Sequence, residues 1–302
     1  MADLKEEIND DWKNRLRSAF ISAFSGNPQE KMQVYTEVGY YYLCCAPTFL
    51  YKYYSDKPQK LETVMQNKMW YSSPYNFNDV FDCDISIDEK EIFNSIIRMV
   101  YSNMEIRVGS PMWKQLRQAV GPQIKSFQAE LEKQRTTTGI SCLSEEFDSL
   151  LMWAHYANNH RGMCVEYELL EINKQLGFSP VPIIYSDNRV SVHTLDPNAL
   201  EKDIQRIFIE SLTSKSPEWS YEKEWRIIRD DGACGDKWDV EKKGALLEMI
   251  RPSSIILGCM AKPEFEKAVR EHCEECKINL YKMKKDKERY RLEKIPVILF
   301  DD

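Results

Sequence analysis

A chain of 302 residues that is 43% apolar and 12% aromatic can bury a full core, which excludes a disordered or low-complexity polypeptide. Its formal net charge of -7 excludes a generally basic surface of the kind that binds nucleic acid through phosphate alone. Residues 2–18 are charged rather than an apolar leader, no apolar run reaches the ~18 residues of a membrane span, and the nine irregularly spaced cysteines read as the reduced thiols of a cytoplasmic protein.

In chain order, Leu4, Ile8, Trp12, Leu16, Phe20 and Phe24 recur every fourth residue and predict an amphipathic helix over 3–25, stopped by Gly26-Asn27-Pro28. Met32, Tyr35, Val38 and Tyr42 predict a second helix over 29–46 that ends before Pro47. Residues 1–47 therefore read as a helical hairpin, offered to a protein partner or to a second copy, ahead of a main domain over 48–302. The β-formers of Phe49–Tyr54 predict a strand, followed by a helix over 58–68 and a strand over 69–72. Residues 74–84 are read as a loop. Helices follow over 88–104 and 111–134, the latter broken at Gly121-Pro122.

Further on, strands are predicted over 139–143, 161–168, 181–185, 221–229 and 246–250, and helices over 149–157, capped by Asp148, and 196–213. Ser254–Leu257, a helix opening at Pro263 and running to Cys276, and a strand over 278–283 form a β-α-β unit. Pro296–Phe300 is a last strand. The pattern predicts an α+β fold: a mixed, mostly antiparallel sheet core with flanking helices, an N-terminal helical hairpin and a C-terminal β-α-β. The basic residues of 282–294 alternate with acids and read as a solvated edge, with nucleic-acid binding disfavoured. Cys273 and Cys276 beside His272 lack four tetrahedral ligands, and no metal is expected.

No Walker loop, G-x-G-x-x-G, G-x-S-x-G or H-E-x-x-H occurs. Three segments place polar and aromatic side chains where a plain core does not need them. Phe77-Asn78-Asp79-Val80-Phe81-Asp82 is a structured turn or a site wall. Met152–Gly162 gathers Trp153, His155, Tyr156 and His160, whose rings suit a flat ligand, or equally a helix end packed on a strand with His160 as a cap. In Trp219–Arg226, read as strand, Glu222, Glu224 and Arg226 share one face, either as surface ion pairs or as buried functional charges.

With Leu50-Tyr51-Lys52-Tyr53 and Ile140–Glu145, these segments resemble a widespread bacterial family still called a domain of unknown function. Its marks are an F-N-D-x-F-D turn, a C-F-S-E-like strand, an M-W-x-H-Y-x-x-x-H-x-G block and a W-x-Y-E-x-E-W-R strand. The resemblance runs in the same order from Phe49 to Gly258. Val80 stands where proline is usual, and Leu143 where phenylalanine is usual. The hairpin lies outside it. The family's association with phage-defence and mobile-element neighbourhoods implies a toxin or effector role. A weaker similarity, to ADP-ribosyltransferase-type folds, rests on the order of Lys52 and Tyr53, then Ser141 and Ser144, then Glu222 or Glu224.

That similarity implies an enzyme with NAD as substrate and no further cofactor. Glu224, or Glu222 in its place, would stabilise a ribosyl cation, with His155 also catalytic. Tyr53 or Trp153 would stack on nicotinamide, and Lys52 or Arg226 would meet a phosphate. Asn78, Asp79, Ser141, Ser144, Tyr156 and His160 would complete ligand binding. A non-catalytic sensor of a nucleotide or a phage-derived ligand uses the same residues. A metal-dependent nuclease through Asp79, Asp82 and Glu224 is disfavoured by the acidic balance. Each site reading predicts that Asn78 or Asp79, Trp153, His155 and Glu224 line one cleft.

Overall fold

The computed structural model describes residues 12–25, 28–100, 106–177, 179–195, 200–229 and 234–300. The first half comprises α1 (Trp12–Ser25), α2 (Pro28–Cys44), β1 (Phe49–Tyr54), α3 (Pro58–Met65), β2 (Lys68–Ser72), β3 (Ser86–Ile87), α4 (Glu89–Val100), α5 (Pro111–Thr137) and β4 (Gly139–Ser144). Then come α6 (Leu150–Tyr156), β5 (Met163–Glu168), α7 (Leu169–Leu176), β6 (Val181–Pro182), β7 (Ile184–Tyr185), β8 (Ser191–Val192), α8 (Leu200–Leu212) and β9 (Ser214–Lys215). The remainder is β10 (Glu224–Arg229), β11 (Trp238–Asp239), β12 (Gly244–Glu248), β13 (Ser254–Leu257), α9 (Pro263–Cys276), β14 (Asn279–Lys285) and β15 (Leu292–Ile298).

The fold is α+β, as expected. One large sheet runs β11-β12-β2-β4-β1-β5-β13-β14-β15, with β10 on β4 and β6 on β10. Its pairings are antiparallel except β13 with β14, the pair that the α9 crossover makes parallel. Two short parallel pairs, β3-β8 and β7-β9, stand outside it. Central strands are buried on both faces. Leu50, Val165, Trp225, Ile227 and Ile255 enter the main core, while Tyr51, Tyr53, Cys164 and Ile256 pack on the other side with Trp153. A further core joins α4, α5 and α8 through Ile92, Phe127, Leu131 and Ile207.

Leu16, Tyr41 and Tyr42 belong to the main core, so the hairpin packs on the sheet. The rings of Trp12 and Tyr42 lie 6.2 and 6.1 Å from that of Trp225. Lys13 pairs with Glu145, which also accepts from Trp225 Nε1 at 2.7 Å. Residues 3–11 of the first predicted helix lie outside the described residues. So do 101–104 and 196–199 of two others.

Several boundaries differ from expectation. α5 passes through Gly121-Pro122 without a break, because burial of Val120, Ile124, Phe127 and Leu131 along one face outweighs the lost backbone bond. Ser149, not Asp148, caps α6, its Oγ accepting from Met152 N. Residues 181–185 divide between two sheets as β6 and β7. The strand expected over 221–229 begins at Glu224, because 217–222 wind into a 3-10 turn and Lys223 takes a left-handed φ of 41°. Among the described residues, no helix is long and apolar enough to cross a membrane.

One irregularity in the sheet, at β4, positions the polar cavity. β4 pairs along one edge with β10 from Glu224↔Ser144 to Arg229↔Gly139. Its other edge meets β1 at Tyr51↔Ser144 and β2 at Ser72↔Ile140 and at no other described pair. The sheet is thus split between β1 and β2, and the Lys52 ammonium reaches across to donate to Cys142 O at 2.7 Å.

Trp225, fully buried between sheet and hairpin, anchors both. Trp225→Ala should destabilise the fold by about 3–5 kcal/mol in urea denaturation, with a conservative Trp225→Phe costing less.

Candidate functional site

The split in the sheet opens into a cavity of about 470 Å³, lined by residues from six stretches of the chain, β4 with Cys142 and Leu143 among them. β1 supplies Tyr51, Lys52 and Tyr53. The 77–82 turn supplies Phe77, Asn78 and Asp82, and α6 supplies His155 and Tyr156. Lys215, Glu222 and Glu224 complete the floor.

Local sequence explains how each arrives. Asp79 Oδ1 accepts from Phe81 N at 2.9 Å, folding a tight turn. That turn buries Asp82 and leaves Val80 80% and Phe81 56% exposed. The Ser149 cap starts α6 so that His155 and Tyr156 fall in its last turn. The left-handed Lys223 reverses the chain between Glu222 and Glu224, so both carboxylates reach one ammonium. Ser144 Oγ fixes that reversal by donating to Glu222 O at 2.6 Å.

The floor is a buried ion network. Arg226 Nε donates to Glu224 Oε1 at 2.7 Å, Nη2 to Asp82 Oδ1 and Oδ2 at 2.9 and 2.7 Å, and Nη1 to Leu212 O at 2.8 Å. Lys215 Nζ donates to Glu222 Oε2 at 2.5 Å and Glu224 Oε2 at 2.9 Å, with Asp82 Oδ2 3.6 Å away. Tyr156 OH donates to Glu222 Oε1, and Asn78 Nδ2 lies 3.5 Å from the same hydroxyl. Three carboxylates thus face two cations, one negative charge in excess when all are ionised. Such a set persists away from water because the hydrogen bonds are charge-assisted and the guanidinium is engaged at all three nitrogens.

The two glutamates diverge in acidity. Burial, and then the Glu224 charge, raise Glu222 above the usual carboxylate range. Burial alone would raise Glu224 too, but Arg226 and Lys215 outweigh it and hold Glu224 well below that range. Burial would lower Lys215, and Glu224 and Glu222 more than reverse it, so Lys215 stays charged. Lys52 is lowered, by burial first, with Cys142 and Glu224 opposing. Burial and Glu222 raise the Tyr156 phenol. Neighbouring carboxylates pushed apart in this way mark a site that can hold and release one proton.

Of the residues singled out in the sequence, Lys52, Tyr53, Asn78, His155, Tyr156, Glu222 and Glu224 line this cavity together. Others do not. Trp153 is fully buried beneath α6, its Nε1 donating to Phe147 O at 2.7 Å, so it cannot stack on a ligand. Arg226 lies under the floor with every nitrogen engaged, so it is not a free phosphate ligand. Asp79 shapes the turn. Ser141 is buried, its Oγ without a partner among the described residues. Ser144 holds Glu222, and His160 lines a different cavity. The expected common face of Glu222, Glu224 and Arg226 does not form, because Glu222 sits in the 3-10 turn. Asp82, which the sequence places in the 77–82 segment and offers by itself only as a disfavoured metal ligand, and Lys215, which no motif marks, are central. Among the described residues no His, Cys, Asp and Glu group is disposed to hold a metal ion.

Residues 152–227, from α6 into β10, match the model of a family described as a protein of unknown function, DUF2971. The match carries His155, Tyr156, Lys215, Glu222, Glu224 and Arg226, and leaves Lys52, Asn78 and Asp82 outside it. No curated protein and no solved structure matches the chain.

Two expectations follow. Glu224→Gln strips Arg226 and Lys215 of their shared counter-charge and should cost about 3–5 kcal/mol in chemical denaturation. Glu222→Gln should behave differently. A carboxyl raised in the folded state stabilises the fold below its ordinary pKa, and this contribution is lost as pH rises through the raised value. Thermal melts from about pH 5 to about pH 8 should therefore show the wild type losing ground to Glu222→Gln, which stays neutral throughout.

Proposed function

We propose that the chain is an NAD-consuming effector enzyme that breaks the bond between nicotinamide and ribose, by ADP-ribosyl transfer or glycohydrolysis. What supports this best is the pair Glu222 and Glu224, which share one ammonium yet stand on opposite sides of the usual carboxylate acidity. Glu224 is committed to Arg226, which leaves Glu222 as the carboxylate whose charge can change. The nicotinamide ring of NAD is a flat cation. It suits a cleft with the carboxylates of Glu222 and Glu224 in its floor and the rings of Phe77, His155 and Tyr156 on its walls.

In this reading, a cationic ring beside Glu222 favours its ionised form, because the ring's charge offsets the effect of burial. As the bond between ring nitrogen and ribose C1′ breaks, the electron pair goes to the ring, which becomes neutral. The positive charge passes to the ribose, where ionised Glu222 stabilises it. Water or an acceptor hydroxyl then bonds to C1′, and exposed His155 takes its proton. Lys52, with ammonium hydrogens to spare beyond Cys142 O, meets a phosphate. Depletion of NAD would give the toxin-type role in phage defence that the sequence resemblance implies.

A second reading is favoured by the carboxylate oxygens of Glu222 and Glu224, which already have partners within the protein, as the wall of a non-catalytic nucleotide sensor would. Release of nicotinamide from NAD by purified protein separates the two. Glu222→Gln should lower that release on the order of a hundredfold to a thousandfold. Calorimetric binding of NAD without nicotinamide release by the wild type would leave the sensor. Neither binding nor release would sink both.

A further inference from the structure

On the far side of α6 from this cleft lies a cavity of about 620 Å³, between the turn at His160 and the loop joining β14 to β15. Asn158, Asn159 and His160 take successive left-handed φ values of 46, 54 and 66°, which L-residues adopt reluctantly and rarely in series. The turn is held on every side. Asn158 Nδ2 donates to Asp56 at 2.7 Å, His160 N to Trp153 O at 3.0 Å, and Met260 N to His160 O at 2.9 Å. Gly258 is required beside it, since a Cβ there would sit 2.1 Å from His160 O. The His160 ring stacks on Trp153 at 11°, with Nδ1 buried and unpartnered among the described residues. Nothing in the NAD cleft needs this arrangement. It makes a rigid wall.

The opposite wall is charged. Lys285, Lys287 and Arg289 are exposed and have no acidic side-chain partner among the described residues. Asp286 is spent on Arg291 Nε at 2.6 Å and on the amides of Glu288 and Arg289, which leaves Glu288 as the loop's remaining acid. The Tyr290 ring is fully exposed on the same loop. Burial first, and then the Lys285 charge facing it, lower His160 on the opposite wall.

We propose that this cavity binds a mononucleotide through its phosphates, with Lys285, Lys287 and Arg289 as anion ligands and Tyr290 as the stacking face for the base. The volume suits a ligand of that size. A net excess of two positive charges on the loop matches one or two phosphates. It falls short of the long basic surface that a nucleic-acid strand requires, the more so on a chain of net charge -7.

Titration calorimetry of the full chain with ADP, inorganic pyrophosphate, adenosine and a short oligothymidylate tests this. ADP and pyrophosphate should bind, and adenosine about tenfold or more weakly. The double variant Lys287→Ala/Arg289→Ala should lose about tenfold for both phosphate ligands at an unchanged melting temperature. Tyr290→Ala should weaken ADP and spare pyrophosphate, which separates a nucleotide site from a simple phosphate site. Lys52→Ala, in the other cleft, should leave ADP binding here intact. Absence of heat with both phosphate ligands would overturn the proposal. So would losses that follow Lys52 rather than the loop, equal effects of Tyr290→Ala on ADP and pyrophosphate, or oligothymidylate binding more tightly than ADP.

Discussion

The guanidinium of Arg226 is the point on which the molecule turns. It is wholly buried, and its bonds tie the 77–82 turn through Asp82, the start of β10 through Glu224, and the end of α8 through Leu212 O. A lysine cannot replace it, since an ammonium has no planar fork to hold two carboxylates and a carbonyl at once. Because a buried charge is tolerated only when answered, Arg226 requires Asp82 and Glu224 to be buried with it. Their surplus negative charge in turn requires Lys215. Glu222 is the member of the set held above the usual carboxylate range, by burial first and then by the neighbouring Glu224 charge.

Polar networks of this kind trade stability for definition. An apolar core of the same volume would be at least as stable but would fix no particular orientation of turn, strand and helix. Here the network fixes the floor, while Phe77 over Arg226, at 5.2 Å, and Trp219 over Lys215, at 4.9 Å, cover it with rings. The result is a cleft whose walls are soft and aromatic and whose base is rigid and charged.

Much of the fold was legible because its signals are local. The β-formers of Phe49–Tyr54, the apolar Ser254–Leu257 and the helix opening at Pro263 each carry their own pattern, and the structure has them there. So was most of the cleft, since Lys52, Asn78, His155, Tyr156, Glu222 and Glu224 stood out as polar residues in segments otherwise built for burial. What escaped was non-local. Asp82 and Arg226 are 144 residues apart in the chain, and nothing near either announces the other. Lys215 sits between a helix end and a proline with no periodicity to mark it. Trp153 misled for the opposite reason. An indole within a polar motif looks like a ligand platform, yet its Nε1 is answered by Phe147 O, which makes it core. Lys223 could not be read either, because a left-handed lysine leaves no trace in the pattern of hydrophobicity, and with the 3-10 turn before it and the Ser144 bond it turns Glu222 inward.

The seam beside β4 has a mechanical meaning as well. β2, β12 and β11 form one leaf, and β1, β5, β13, β14 and β15 another. Each leaf is stitched to β4 by a single residue pair, one at Ile140 and one at Ser144. A continuous sheet carries ladder bonds along every strand edge, whereas here the joint beside β4 rests on two residue pairs, the Lys52 tether and the apolar core that Met69, Tyr71 and Leu247 share with Leu50, Val165 and Ile255. The eleven strands therefore form two leaves on a common spine, held together at that seam more by side-chain packing than by backbone ladder bonds.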